Sequence, residues 1–116
     1  MDVIMNIKTG ITNEQLIEEI KGIQRIVINT VHGGFGLSEP AIEIYKERRG
    51  IADPDWYDHD LARDDPILVS IVREMGAAAN GKYADLKIVE VPYDVEWTIA
   101  EYDGIEWVAE KHRTWP

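Results

Sequence analysis

The sequence predicts one small α+β domain, and three observations carry that expectation. Residues 25–31 form a nearly unbroken β-branched apolar run, two central segments carry the start and stop signals of helices, and the C-terminal stretch alternates around Asp103-Gly104. A strand, then helices, then a group of strands builds a small, mostly antiparallel sheet with two to three helices packed on it. The chain has 116 residues, the size of a single domain with one modest core. No internal repeat or low-complexity linker divides it, so residues 1–116 read as one domain, with residues 1–22 as an N-terminal extension.

Residues 1–7 read as a short strand. Thr12-Asn13-Glu14-Gln15 has the form of a capping box, followed by the apolar stripe of Leu16, Ile17 and Ile20, and Gly22 ends that helix. Residues 25–31, Arg25-Ile26-Val27-Ile28-Asn29-Thr30-Val31, suit a strand buried on both faces. The turn His32-Gly33-Gly34-Phe35-Gly36-Leu37-Ser38 follows. Ser38 is placed as an N-cap, Pro40 lies in the first turn, and Leu37 and Ile42 stand at the positions of a hydrophobic staple. This helix runs to about Arg49, with Gly50 as its left-handed stop.

Residues 51–63 are a loop rich in Asp, Pro, Trp and Tyr. Asp65-Pro66 starts a further helix with Leu68, Val69, Val72 and Met75 on one face, closed by Asn80-Gly81. Residues 86–91 form a strand that Pro92 stops. Residues 95–115 form a hairpin, because Asp103-Gly104 favours the two-residue type I′ turn. That turn fixes a register in which Tyr102 faces Ile105, Ile99 faces Val108, Glu96 faces Lys111 and Asp94 faces Arg113. In the same register Glu101 faces Glu106, a like-charge pair that argues against it. A helix over residues 105–112 is the rival assignment.

The formal net charge is −10, which opposes binding to polymeric nucleic acid. No apolar run is long enough to cross a bilayer, and residues 1–7 show neither the basic region nor the cleavage site of a signal peptide. The absence of cysteine excludes a disulfide framework and a thiolate metal site and fits the cytoplasm.

The glycine turn is the first candidate site. A strand that passes through glycines into a capped helix exposes backbone N–H groups to the positive end of the helix dipole, where phosphate or carboxylate is the natural occupant. His32, Gly33, Gly34, Phe35, Gly36 and Ser38 make up this candidate. The competing reading is a tight β–α connection that needs positive φ angles. The C-terminal run, with His112, Arg113 and Trp115, is the second candidate; Arg113 suits a phosphate, and Trp97, Trp107 and Trp115 offer stacking faces. An edge strand ending in core aromatics explains the same residues.

Asp53, Asp55, Asp58, His59, Asp60, Asp64 and Asp65 form an acidic loop without the spacing of a calcium site, and no metal or cofactor is expected there. No nucleophilic triad stands out, and no catalytic residue is assigned. The residues therefore favour binding over catalysis.

Gly33-Gly34-Phe35-Gly36-Leu37-Ser38 with Ala41 and Tyr45 forms the first part of a wider pattern. It continues through Asp65-Pro66 with Leu68-Val69 and the 86–92 segment, and ends in Glu101-Tyr102-Asp103-Gly104, Glu106, Val108, His112-Arg113 and Trp115. Over residues 25–116 the chain resembles a family of small proteins of unassigned function encoded by bacteriophages and prophages. His32 departs from the pattern, which carries an aromatic such as tyrosine at that position. The resemblance implies a phage protein acting in the bacterial cytoplasm. Small non-catalytic phage proteins include homo-oligomeric sponges that sequester nucleotide signals of bacterial immunity, and such a sponge, binding a phosphate-bearing small molecule, is the function expected by analogy. The alternatives are an acidic protein–protein inhibitor of a host defence factor and a small hydrolase using His32 or His112.

Overall fold

The computed structural model describes residues 22–111. The N-terminal capping box and its helix, and the C-terminal residues His112, Arg113 and Trp115, lie outside the described residues. So does the expected pairing of Asp94 with Arg113.

Among the described residues, four antiparallel strands and two helices build an α+β fold. The order is β1 (Ile23–Asn29), α1 (Glu39–Arg49), α2 (Pro66–Met75), β2 (Leu86–Pro92), β3 (Trp97–Tyr102) and β4 (Ile105–Glu110). Short 3₁₀ turns at Asp58–Asp60 and Gly76–Ala79 lie on either side of α2.

The first strand begins two residues before the expected 25–31 segment and ends at Asn29, because Thr30 and Val31 lead into the glycine turn. It pairs with β2 from Ile23 opposite Pro92 to Asn29 opposite Leu86. Val27 belongs to the buried apolar cluster that includes Leu68, Val69, Ile71 and Val72 of α2, and Ile88, its partner across the sheet, packs against that cluster. Ile26 and Ile28 point to the opposite face and are buried as well. The strand is therefore covered on both sides, as its unbroken apolar run predicts.

Both helices start as their sequences require. The Ser38 Oγ accepts the Ala41 N–H at 3.3 Å, and Pro40 follows in the first turn. Gly50, at φ 70°, ends α1. The Asp65 carboxylate accepts the Ile67 N–H at 2.8 Å to cap α2. That helix ends at Met75, with Gly76 at φ 58°, rather than at Asn80-Gly81. Asn80-Gly81 instead meets the end of the glycine turn, where the Gly81 N–H donates to Gly36 O at 2.8 Å.

The C-terminal segment is a hairpin, with the register derived from the Asp103-Gly104 turn. Tyr102 lies opposite Ile105, Ile99 opposite Val108 and Glu101 opposite Glu106. The Lys111 N–H donates to Glu96 O, continuing the ladder. Neither glutamate faces the other unrelieved: Glu106 turns inward to Arg63, while Glu101 accepts the Gly104 N–H at 2.7 Å.

The strands form two pairs, β1 with β2 and β3 with β4. On the second edge of β1, the Val27 N–H donates to Arg63 O and the Asn29 N–H to the Glu106 carboxylate, each at 2.8 Å. A loop carbonyl and a side chain thus take the place of a third strand there.

Candidate functional site

The glycine turn is held against the tip of the hairpin. Gly33 and Gly34 have φ angles of 115° and 99°, which only glycine adopts without strain. Their backbone lies so close to the hairpin turn that a Cβ on Gly104 would stand 2.5 Å from the Gly34 nitrogen. On its other side the turn touches Tyr83, whose Cβ would lie 2.7 Å from a Cβ on Gly33. The glycines therefore allow three backbone segments, at residues 30–37, 81–86 and 102–106, to approach one another.

Asn29 organises this meeting. It is fully buried, and its amide nitrogen donates to Val31 O at 2.6 Å and Gly104 O at 2.7 Å. Its side-chain oxygen accepts the Asp85 N–H at 2.8 Å. One side chain thus bonds the glycine turn, the hairpin tip and the start of β2. Beside it the Arg63 guanidinium grips the Glu106 carboxylate through two nitrogens, at 2.5 and 2.8 Å. This fork geometry is the strong form of the arginine–carboxylate pair. Phe35 covers the pair, with the Arg63 guanidinium carbon 3.7 Å from its ring centroid. At the rim, His32 Nδ1 lies 3.2 Å from Asp103 O and 3.3 Å from its carboxylate.

Several anion-binding groups expected in the turn are already engaged within the chain. The Leu37 N–H donates to the Asp58 carboxylate at 2.9 Å, so a loop carboxylate occupies an anion position at the strand–helix turn. The Ser38 N–H donates to Ala79 O, and its hydroxyl donates to Ala78 O at 2.7 Å. The tight-connection reading therefore describes Gly36, Leu37 and Ser38, whereas His32 and Gly33 are exposed and Gly34 is half-exposed. The rings of Tyr83 (63% exposed) and Tyr102 (73% exposed) belong to the segments beside them.

The two hairpin tryptophans do not share one site. In the β3–β4 register Trp97 lies on the face with Ile99 and Glu106, and Trp107 on the face with Ala100 and Tyr102. The Trp97 Nε1–H donates to the Gln24 side chain at 2.9 Å, tying the hairpin to β1. Trp107 points outward and is 46% exposed. They cannot both stack on one ligand within a single chain.

The acidic loop distributes its carboxylates. Asp58 serves Leu37, Asp53 accepts the Asp55 N–H, and Asp65 enters the helical layer. Among the described residues no three acidic or histidine side chains converge as a metal site. Asp65 accepts from Tyr45 Oη and Arg49 Nη2, each at 2.6 Å. Burial pushes its pKa up, but hydrogen bonds from Arg49, Tyr45 and the Ile67 N–H outweigh that and hold it below the ordinary value. Burial and the Asp65 carboxylate raise the Tyr45 pKa.

Sequence reasoning missed Asn29, Arg63 and Glu106. The available signal was an asparagine inside an otherwise apolar β-branched run, where a buried amide must find partners. No helix among the described residues is long and apolar enough to cross a membrane. Comparison of this chain with protein-family models, with curated proteins and with solved structures finds no match.

Proposed function

We infer that the chain is a non-catalytic binding protein for a phosphate-bearing small molecule, with a nucleotide as the ligand class. One observation carries the reading: Asn29 and the Arg63–Glu106 pair hold the glycine turn and the hairpin tip together as a rigid platform with exposed rings around it. Loops fixed on a buried polar scaffold bind with little ordering entropy, which favours recognition. His32 and Gly33 are exposed at the rim of the turn, where a phosphate can approach, and Tyr83 or Tyr102 offers a ring face to a base. The strongly held buried carboxylates, Asp65 and Glu106, are each bound by an arginine, which suits a structural role better than proton transfer.

Within this proposal the protein is a phage-encoded, homo-oligomeric sponge for a host immune nucleotide. A thermal-shift panel of cyclic and ADP-ribose-type nucleotides tests it. A ligand at 100 times its Kd adds about 2.7 kcal/mol of stability, a gain reduced in Tyr83→Ala or Tyr102→Ala. Flat melting curves across the panel would sink it. Light scattering during size exclusion reads the oligomeric state.

A second reading, an acidic protein–protein inhibitor, draws on the outward hairpin face, where Tyr102 and Trp107 stand exposed on one side of the β3–β4 pair. It predicts a stoichiometric complex with a host defence factor that Trp107→Ser breaks and Arg113→Ala does not.

A further inference from the structure

A groove between β1 and α2, with a volume of about 410 Å³, lies apart from the glycine turn. Its size is within the range of roughly 300–1,000 Å³ that small-molecule sites occupy. Ile23 of β1 with Pro66 and Val69 of α2 gives it apolar lining, and Arg25 and Arg73 line it as well. The chain as a whole has 22 acidic residues against 12 lysines and arginines, so a groove with two arginines and one carboxylate, Asp64, is opposite in sign to the rest.

Hydrogen-bonding capacity narrows the chemistry. Two other polar side chains of the groove are committed elsewhere. Ser70 Oγ donates to Ile67 O and accepts from Arg48, while the Gln24 amide donates to Pro92 O and Val95 O and accepts from Trp97. Arg25 uses its Nε on Glu90 at 3.1 Å, which leaves its terminal nitrogens as donors. Arg73, exposed in the last turn of α2, makes no ion pair among the described residues. Asp64 within the groove and Glu90 beside Arg25 oppose a second negative charge.

We propose that this groove binds a small organic monoanion of the carboxylate or sulfonate type, with an apolar body against Ile23, Pro66 and Val69 and its charge on Arg73 and Arg25. The proposal does not depend on the glycine-turn reading, and its ligand class differs from a phosphate ester.

Fluorescence titration of the full chain with anilinonaphthalene sulfonate provides the test, because that probe joins an aromatic body to a single anionic group. Saturable one-site binding is expected. Phenylnaphthylamine, the uncharged counterpart, should bind about tenfold more weakly, the value of one charge-assisted hydrogen bond. Arg73→Gln should weaken the sulfonate by a similar factor and leave phenylnaphthylamine unchanged, with an unaltered melting temperature showing that the variant folds. Trp107→Ser, which removes the exposed ring on the outer hairpin face, should change neither. Absence of saturable binding, equal affinity for the two probes, or loss on Trp107→Ser with Arg73→Gln silent would overturn the proposal.

Discussion

Two buried carboxylates, each gripped by an arginine, hold this molecule together in different ways. Asp65 lies in the helical layer, where it caps α2 and joins Tyr45 and Arg49 of α1, only 20 and 16 residues away in sequence. Glu106 joins the C-terminal hairpin to a loop 43 residues earlier and to the edge of β1, 77 residues from Asn29. The arginines differ in their access to water: the Arg49 side chain is 43% exposed and that of Arg63 only 21%. Loss of its carboxylate therefore leaves Arg63 the more poorly solvated charge. The helical knot shapes a local layer, whereas the hairpin knot positions the proposed binding face.

The largest effect is expected at Glu106. Glu106→Gln keeps the shape and one acceptor for the Asn29 N–H but leaves the Arg63 charge unmatched. A loss of about 3 kcal/mol in urea unfolding should follow. If Asp65→Asn proved more damaging, the ranking by solvent access would be wrong.

Gly104→Ala is next, at about 2 kcal/mol, because the added methyl would strike the Gly33 and Gly34 nitrogens at a φ of 90°. Hydrogen exchange should then show the hairpin tip and residues 32–36 opening together. Gly34→Ala serves as the comparison: its φ is also positive, but a Cβ there meets nothing within 4 Å, so its cost should be the smaller of the two.

Asp65→Asn should cost about 1.5 kcal/mol, the worth of weakened charge-assisted hydrogen bonds. Its diagnostic is pH. The folded carboxyl titrates below its ordinary value, so its contribution is complete above the ordinary carboxylate range and is lost as pH falls through and below it. The variant should lack that acid-limb loss. The raised Tyr45 pKa has the opposite sense, contributing below the ordinary tyrosine value of 10.0 and fading as pH rises past the folded value. A stability profile with no difference between wild type and variant on the acid side would remove Asp65 from this role.

The same contrast explains what was legible in the sequence. Helix starts at Ser38 and Asp65, the stop at Gly50 and the turn at Asp103-Gly104 are local events, and each appears where its residues require it. The hairpin register follows from a two-residue turn, so it too was readable. Glu106 was not, because its partner lies in a loop with no periodicity to read. Asn29 was not legible as an organiser either, since its partners Asp85 and Gly104 are distant in sequence. The glycine turn was visible as a motif, but its occupants, Gly104, Tyr83 and Asp58, come from three other places in the chain. Local rules locate elements; only packing shows which polar groups those elements consume.

The smallest effect sharpens the comparison most. Glu101 stands directly opposite Glu106 in the β3–β4 register, with the same side-chain chemistry and the same strand environment. It differs in being exposed and in accepting only the Gly104 N–H, a bond that an amide oxygen can keep. Glu101→Gln should change stability by no more than about 0.5 kcal/mol, and removal of a like charge from the pair should offset part of any loss. Measured beside Glu106→Gln, it isolates burial and the arginine fork from strand position. Equal costs for the two substitutions would mean that the Arg63 pair does not hold the hairpin against β1.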